Sequence, residues 1–142
     1  MSKNPLKLQD QMCFALYATS RAITKKYGDL LKEMDVTYPQ YLTLLVLWEK
    51  DGLSVNELAA AIEIEGATMT PLVQRMEKAG LLDRVRSDDD NRRMEVRLTE
   101  KGRSLRQKAL DVPTALGCAL GVDDDQARAV IEQMNTIRTR LN

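Results

Sequence analysis

The chain has 142 residues, 44% of them hydrophobic and 30% charged, which fits one domain with enough apolar side chains for a core. Lys+Arg and Asp+Glu both number 21, so the formal net charge is zero, which argues against a grip on polyanions by bulk charge. With no histidine in the sequence, Ser-His-Asp and Cys-His catalysis, His-ligated zinc and imidazole switching are all excluded.

Two cysteines, Cys13 and Cys118, are too few for a four-thiolate zinc site or a disulfide framework. No metal and no cofactor is expected. No run of about 18 apolar residues is present to cross a membrane. The start, Met1-Ser2-Lys3-Asn4-Pro5, lacks the apolar core of a signal peptide. The expectation is a cytoplasmic protein with reduced thiols and no membrane partner.

In chain order, apolar residues at Leu8, Met12, Leu16, Ile23, Leu30 and Leu31 predict a helix from Leu6 to about Glu33. Thr37 with Gln40 forms a capping box, and Pro39 is tolerated in the first turn. The helix that follows, Tyr38 to about Lys50, is almost continuously apolar and is expected to be buried all round. Ser54 with Glu57 is a second capping box, opening a short helix from Val55 to about Ile62. A helix from about Ala67 to Ala79 comes next, with Gly80 as its stop. Its buried stripe is Met69, Leu72, Val73 and Met76.

The period then changes. Leu82–Arg86 and Met94–Leu98 roughly alternate apolar and polar residues around a polar turn, which predicts a β-hairpin with a charged tip. Thr99 caps a helix to about Leu110. A short helix runs from Pro113 to Leu120, where Gly121 stops it, and Asp123 with Gln126 caps a last helix to about Leu141.

The fold class is therefore mainly α with one small β-hairpin, arranged as a winged helix-turn-helix. It is one domain over 1–142, with the winged helix-turn-helix over about 37–99. The flanking segments, about 1–36 and 100–142, have apolar faces without an obvious partner in so small a domain. They are expected to pair with a second copy as dimerisation helices, giving a homodimer.

The second short helix presents Thr68, Thr70, Gln74 and Arg75, side chains able to reach base edges or phosphates of double-stranded DNA. Taken alone, it is equally an amphipathic helix with a solvated polar face. The hairpin adds Arg84, Arg86, Arg92, Arg93 and Arg97, with Arg92 and Arg93 at the tip, where a side chain can enter a minor groove. Among Asp88, Asp89 and Asp90, at least one carboxylate is expected to orient an arginine through a bidentate pair, with Asp90 as the wing's structural acid.

The run Glu65–Leu81, Glu-Gly-Ala-Thr-Met-Thr-Pro-Leu-Val-Gln-Arg-Met-Glu-Lys-Ala-Gly-Leu, and the wing with Asp90-Asn-Arg92 resemble the MarR family of transcription regulators. Gln11–Tyr17 (Gln-Met-Cys-Phe-Ala-Leu-Tyr) and Thr37–Leu42 (Thr-Tyr-Pro-Gln-Tyr-Leu) resemble its OhrR branch, the organic-hydroperoxide-sensing repressors. That resemblance covers nearly the whole chain. It implies a repressor that binds operator DNA when reduced and is released when an organic hydroperoxide oxidises Cys13.

On a helix Cys13 and Tyr17 share a face. Phenol O–H groups favour a thiolate, and the resemblance assigns that support to Tyr27 and Tyr38. It also implies that Cys118 resolves the oxidised Cys13 in an intersubunit disulfide, although a small buried core residue is the other reading of Cys118. Met12, Phe14, Leu16, Leu44 and Trp48 are candidates for an apolar peroxide pocket and equally for ordinary core. Two alternatives stay open: a MarR-like repressor released by a bound phenolic ligand, and a thiol peroxidase. The second lacks an active-site loop with a cysteine at a helix N-terminus.

Overall fold

The computed structural model describes residues 4–142, so the expectation about the N-terminal start falls partly outside the described residues, at Met1–Lys3. The first helix, α1, spans Met12–Leu30. It is shorter than the apolar spacing predicts, with separate 3-10 turns at Leu8–Asp10 and Lys32–Met34. The physical reasons are local. The Asn4 carboxamide accepts from the Leu6 N–H at 3.0 Å, and the Gln11 amide donates back to the Pro5 and Lys7 carbonyls at 2.8 and 3.1 Å. At the other end Asp35 takes a left-handed conformation with φ of 53°, which ends the helical run.

Helix α2, Tyr38–Glu49, opens on the complete capping box: the Gln40 N–H donates to Thr37 Oγ1 and the Thr37 N–H donates to Gln40 Oε1. Its burial is one-sided, not all-round. Tyr41, Thr43, Leu44 and Leu47 are buried, whereas Leu45 is exposed and Trp48 half-buried. Helices α3, Val55–Ala61, and α4, Gly66–Lys78, form the helix-turn-helix. At Ser54 half of the expected box is present: its Oγ accepts from the Glu57 N–H, but the two side chains meet each other, with Ser54 Oγ donating to Glu57 Oε1 at 3.2 Å. Gly80, with φ of 77°, turns the chain after α4, a conformation that suits glycine.

Strands β1, Leu82–Arg86, and β2, Met94–Leu98, pair antiparallel from Leu82↔Leu98 to Arg86↔Met94, as the alternation predicts. A bridge between Leu53 and Val96 ties the base of this wing to the segment before α3. Helices α5 (Glu100–Ala109), α6 (Val112–Leu120) and α7 (Asp124–Leu141) complete the chain.

The core joins Leu31, Leu44 and Leu47 to Leu58, Met69, Val73, Met76, Leu82 and Val96, all essentially inaccessible. It lies under the helix-turn-helix and the wing. The long terminal helices are different: neither α1 nor α7 has a buried residue. Met12, Phe14, Leu16, Val130 and Ile131 are exposed. Among the described residues no helix is long and apolar enough to cross a membrane.

Candidate nucleic-acid interface and thiol site

The α4 stripe separates as expected. Met69, Leu72, Val73 and Met76 are buried, which turns Thr68, Thr70, Gln74 and Arg75 outward on an exposed face. The Thr70 hydroxyl donates to the Gly66 carbonyl at 3.1 Å, which leaves its oxygen free to accept.

The wing is ordered by its own backbone. The Arg92 N–H donates to Asp90 Oδ1 at 3.0 Å and the Arg93 N–H to the Asp90 carbonyl at 2.9 Å. Asp90 thus shapes the tip. Among the described residues no ion pair joins Asp88, Asp89 or Asp90 to an arginine, so the expected bidentate pair is replaced by an Asx-type turn. The Arg86 guanidinium donates to the Asn91 carbonyl at 2.8 Å, bracing the turn from below. Arg92 is exposed and, among the described residues, carries no ion pair. Arg93 points back from the tip to Glu57 on α3 and to Glu95, whose Oε1 lies 3.8 Å from Arg93 Nε. Arg84 pairs with Glu77 at 2.6 Å and Arg97 with Glu95 at 2.5 Å.

Sequence reasoning missed Glu95. Alternation along β2 turns Val96 inward and assigns Glu95 to the solvent face, yet both are buried. The Ser87 hydroxyl first, then Arg97 and Arg93, hold the Glu95 carboxyl below the usual carboxylate range, against a smaller opposing effect of burial. The only advance signal was its position between two arginines.

The thiol site is divided within the chain. Tyr27 and Tyr38 stack with ring centroids 4.2 Å apart, and Tyr41 lies 5.6 Å from Tyr27. Burial, then the neighbouring Tyr38 and Tyr41, pushes the Tyr27 phenol up to about 12. Burial raises Tyr38 and Tyr41 too. These phenols therefore keep their protons near neutral pH and remain donors. Cys13 is exposed and is the second residue of α1, so it stands at a helix N-terminus. This is contrary to the expectation of a cysteine inside a helix from Leu6, because the 3-10 turn at Leu8–Asp10 delays the start of α1. Tyr27 follows fourteen residues later on the same helix. That is about 21 Å of axis at about 1.5 Å per residue. The fold brings Tyr27 and Tyr38 together but does not bring Cys13 to them. Tyr17 does share the Cys13 face, and its hydroxyl accepts from Arg21 at 2.9 Å beneath a guanidinium 5.5 Å from its ring.

Cys118 is exposed on α6. Its neighbours Ala119 and Leu120 face Thr19, Ala22, Ile23 and Lys26 across a cleft. The middle of that stretch is roughly 14 Å of helix from Cys13. The apolar residues offered for a peroxide pocket do not converge either. Met12, Phe14 and Leu16 are exposed on α1, Leu44 is core, and Trp48 donates its indole N–H to the Gly102 carbonyl at 2.9 Å.

Comparison with known proteins decides the family. A model of the SarA/Rot transcriptional regulators matches residues 25–109. An organic hydroperoxide resistance transcriptional regulator of Bacillus subtilis is 45% identical over 96% of this chain and 90% of its own length. The chain belongs to the MarR family of transcriptional regulators, on its organic-hydroperoxide branch. Another relative, the regulator TtmR of Methylorubrum extorquens, is 40% identical over 98% of this chain and 71% of its own length. Among solved structures, AbfR of Staphylococcus epidermidis in its reduced form on DNA superposes with a TM-score of 0.77, at 28% identity, covering 95% of this chain and 94% of that one. The disulfide form of AbfR gives a TM-score of 0.66, also at 28% identity, over 94% and 91%. The overoxidised form on DNA also gives 0.77, so this MarR chain superposes equally on the reduced and overoxidised DNA-bound forms and less well on the disulfide form.

Proposed function

We propose that this chain is a redox-sensing transcriptional repressor, not an enzyme, that works in the cytoplasm. As a reduced homodimer it binds operator DNA, with Thr68, Thr70, Gln74 and Arg75 of α4 in a major groove and Arg92 of the wing in the adjacent minor groove. The observation that carries the redox half is the separation along α1. The exposed Cys13 thiol lies about 21 Å along α1 from Tyr27, whose protonated phenol stacks on Tyr38 of α2. They meet only if two chains pack their uncovered α1 and α7 faces together. One chain's Cys13 then sits against the tyrosines of the other.

The chemistry balances as follows. The Cys13 thiolate, stabilised by phenol O–H donation, attacks the terminal oxygen of an organic hydroperoxide. The O–O bond breaks and the alkoxide leaves, taking a proton to become the alcohol. Cys13 is now a sulfenic acid. The Cys118 thiolate of the other chain attacks its sulfur, hydroxide departs and is protonated to water, and a disulfide forms. Two thiols have reduced one hydroperoxide by two electrons. A disulfide needs Cα atoms roughly 4.4–6.8 Å apart, so its closure draws α6 of one chain toward α1 of the other. Both helices feed the winged domains, and half-site spacing tolerates little rotation. AbfR, solved in reduced DNA-bound and disulfide forms, supports this reading by analogy.

Mixing Cys13→Ser and Cys118→Ser chains tests the pairing. Each variant alone gives no covalent dimer after hydroperoxide. The mixture gives a covalent dimer on a non-reducing gel, because one Cys13–Cys118 pair survives per heterodimer. A mixture that stays monomeric on that gel while the wild type forms its disulfide would refute the intersubunit bond.

A further inference from the structure

Arg92 and Arg93 are adjacent in sequence at the tip of the wing, but the structure uses them differently. Arg93 is clamped from two sides. Its guanidinium is ion-paired with Glu57 in the first turn of α3 and faces Glu95 on β2 at 3.8 Å. Glu95 in turn holds Arg97 at 2.5 Å and is only 9% exposed. The four side chains sum to zero charge. Gly52 backs the cluster: a Cβ there would meet the Arg97 guanidinium and Glu95 Oε2 at 3.3 Å. The backbone follows the same seam, with the Gly52 N–H donating to the Val96 carbonyl at 3.1 Å and the Val96 N–H to the Leu53 carbonyl at 2.7 Å. The Leu98 N–H reaches Asp51 Oδ1 at 2.9 Å. A guanidinium placed like Arg93 must give up its carboxylates to reach a phosphate. Arg92 has none to give up.

We propose that Arg93 is a positioning residue and not a DNA contact: with Glu57 and Glu95 it fixes the angle of the wing against α3, so that Arg92 is presented at the depth and distance from α4 that the duplex requires. This inference rests on the reading of the wing as a DNA-contacting surface. It reverses the sign expected for Glu57. A carboxylate near DNA ordinarily repels phosphate, and its removal tightens binding. Here Glu57 holds the wing in place, and its removal loosens binding.

The test uses the reduced full-length protein and a DNA fragment enriched from random sequence by that protein. Affinity is measured by fluorescence anisotropy over a salt series. Glu57→Gln and Arg93→Gln should each weaken binding about fivefold, the scale of a half-exposed ion-pair network. Both should keep the wild-type slope of log K against log salt, and the double variant should be no weaker than either single one. Arg93→Lys, which can hold one carboxylate at a time, should recover part of the loss. Arg92→Ala should lower the slope by about 0.9, the signature of one lost phosphate neutralisation. A slope loss of that size in Arg93→Gln, or tighter or unchanged binding in Glu57→Gln, would overturn the assignment. Wild-type affinity and slope in Arg92→Ala would overturn the wing-to-DNA reading itself, whatever Arg93 does. Thermal melts of each variant separate a loose wing from an unfolded domain.

Discussion

Gly102→Ala is a severe test of how the wing is joined to the terminal helices. Gly102 lies in the first turn of α5, where a Cβ would sit 2.1 Å from the Leu81 carbonyl oxygen and 3.1 Å from Leu98 Cδ2. The first contact is with backbone and cannot be relieved by rotating a side chain. To restore ordinary contact, α5 must move about 1 Å from β1, an overpacking cost of about 1–3 kcal/mol. The shift also strains the bonds that fasten this corner: Trp48 Nε1 to the Gly102 carbonyl at 2.9 Å, Thr99 Oγ1 to the Gly80 carbonyl at 2.6 Å and Lys101 Nζ to the Ala79 carbonyl at 3.0 Å. Loss of one such bond adds about 1 kcal/mol, and the better helix propensity of alanine returns about 1 kcal/mol. The net expectation is destabilisation of about 1–3 kcal/mol, or roughly 3–10 °C in melting temperature for a chain of this size. The assay is thermal unfolding followed by circular dichroism, with wild type and variant at one protein concentration because dimerisation shifts the midpoint. A variant that melts at or above wild type would show that α5 does not press on the Leu81 backbone.

Two further outcomes follow from local geometry. Tyr27, Tyr38 and Tyr41 should ionise later than an exposed phenol when tyrosinate absorbance is followed through alkaline pH, with Tyr27 near 12. Their folded values lie above the ordinary value, so their contribution to stability is complete below about pH 10 and is lost as pH rises through the folded values. Three tyrosines titrating together at the ordinary value would contradict the stacked cluster. Thr37→Ala removes the acceptor for the Gln40 N–H at the start of α2. It should cost about 1 kcal/mol, read as a lowered urea midpoint with an unchanged slope, whereas an unchanged midpoint would show that the cap carries no stability.

Much of the fold was legible because its signals are local. The hairpin ends fall where the period changes, the caps at Thr37 and Asp123 show both reciprocal bonds, and the α4 stripe is buried as spaced. Local reasoning failed where a long-range partner decides. Asp90 is spent on the backbone of its own turn, and no pattern of acidic residues distinguishes that from an ion pair. Glu95 is buried against the alternation because Ser87, Arg93 and Arg97 compensate its charge. The all-round apolar α2 is covered on one side, where α1, α3, α4 and α5 pack against it, and Leu45 is left exposed. The divided thiol site is the most instructive. Helical arithmetic on α1 places Cys13 far from Tyr27, but the stacking of Tyr27 on Tyr38 required the folded chain.

The measurement closest to the central claim is a gel shift of the enriched DNA fragment during titration with cumene hydroperoxide, with wild type and Cys13→Ser side by side. Wild type should leave the DNA at about one equivalent of peroxide per chain and return after dithiothreitol. Cys13→Ser should bind the same fragment and stay bound throughout. Release of Cys13→Ser by the peroxide, or retention of the wild type after its thiols are oxidised, would contradict the account.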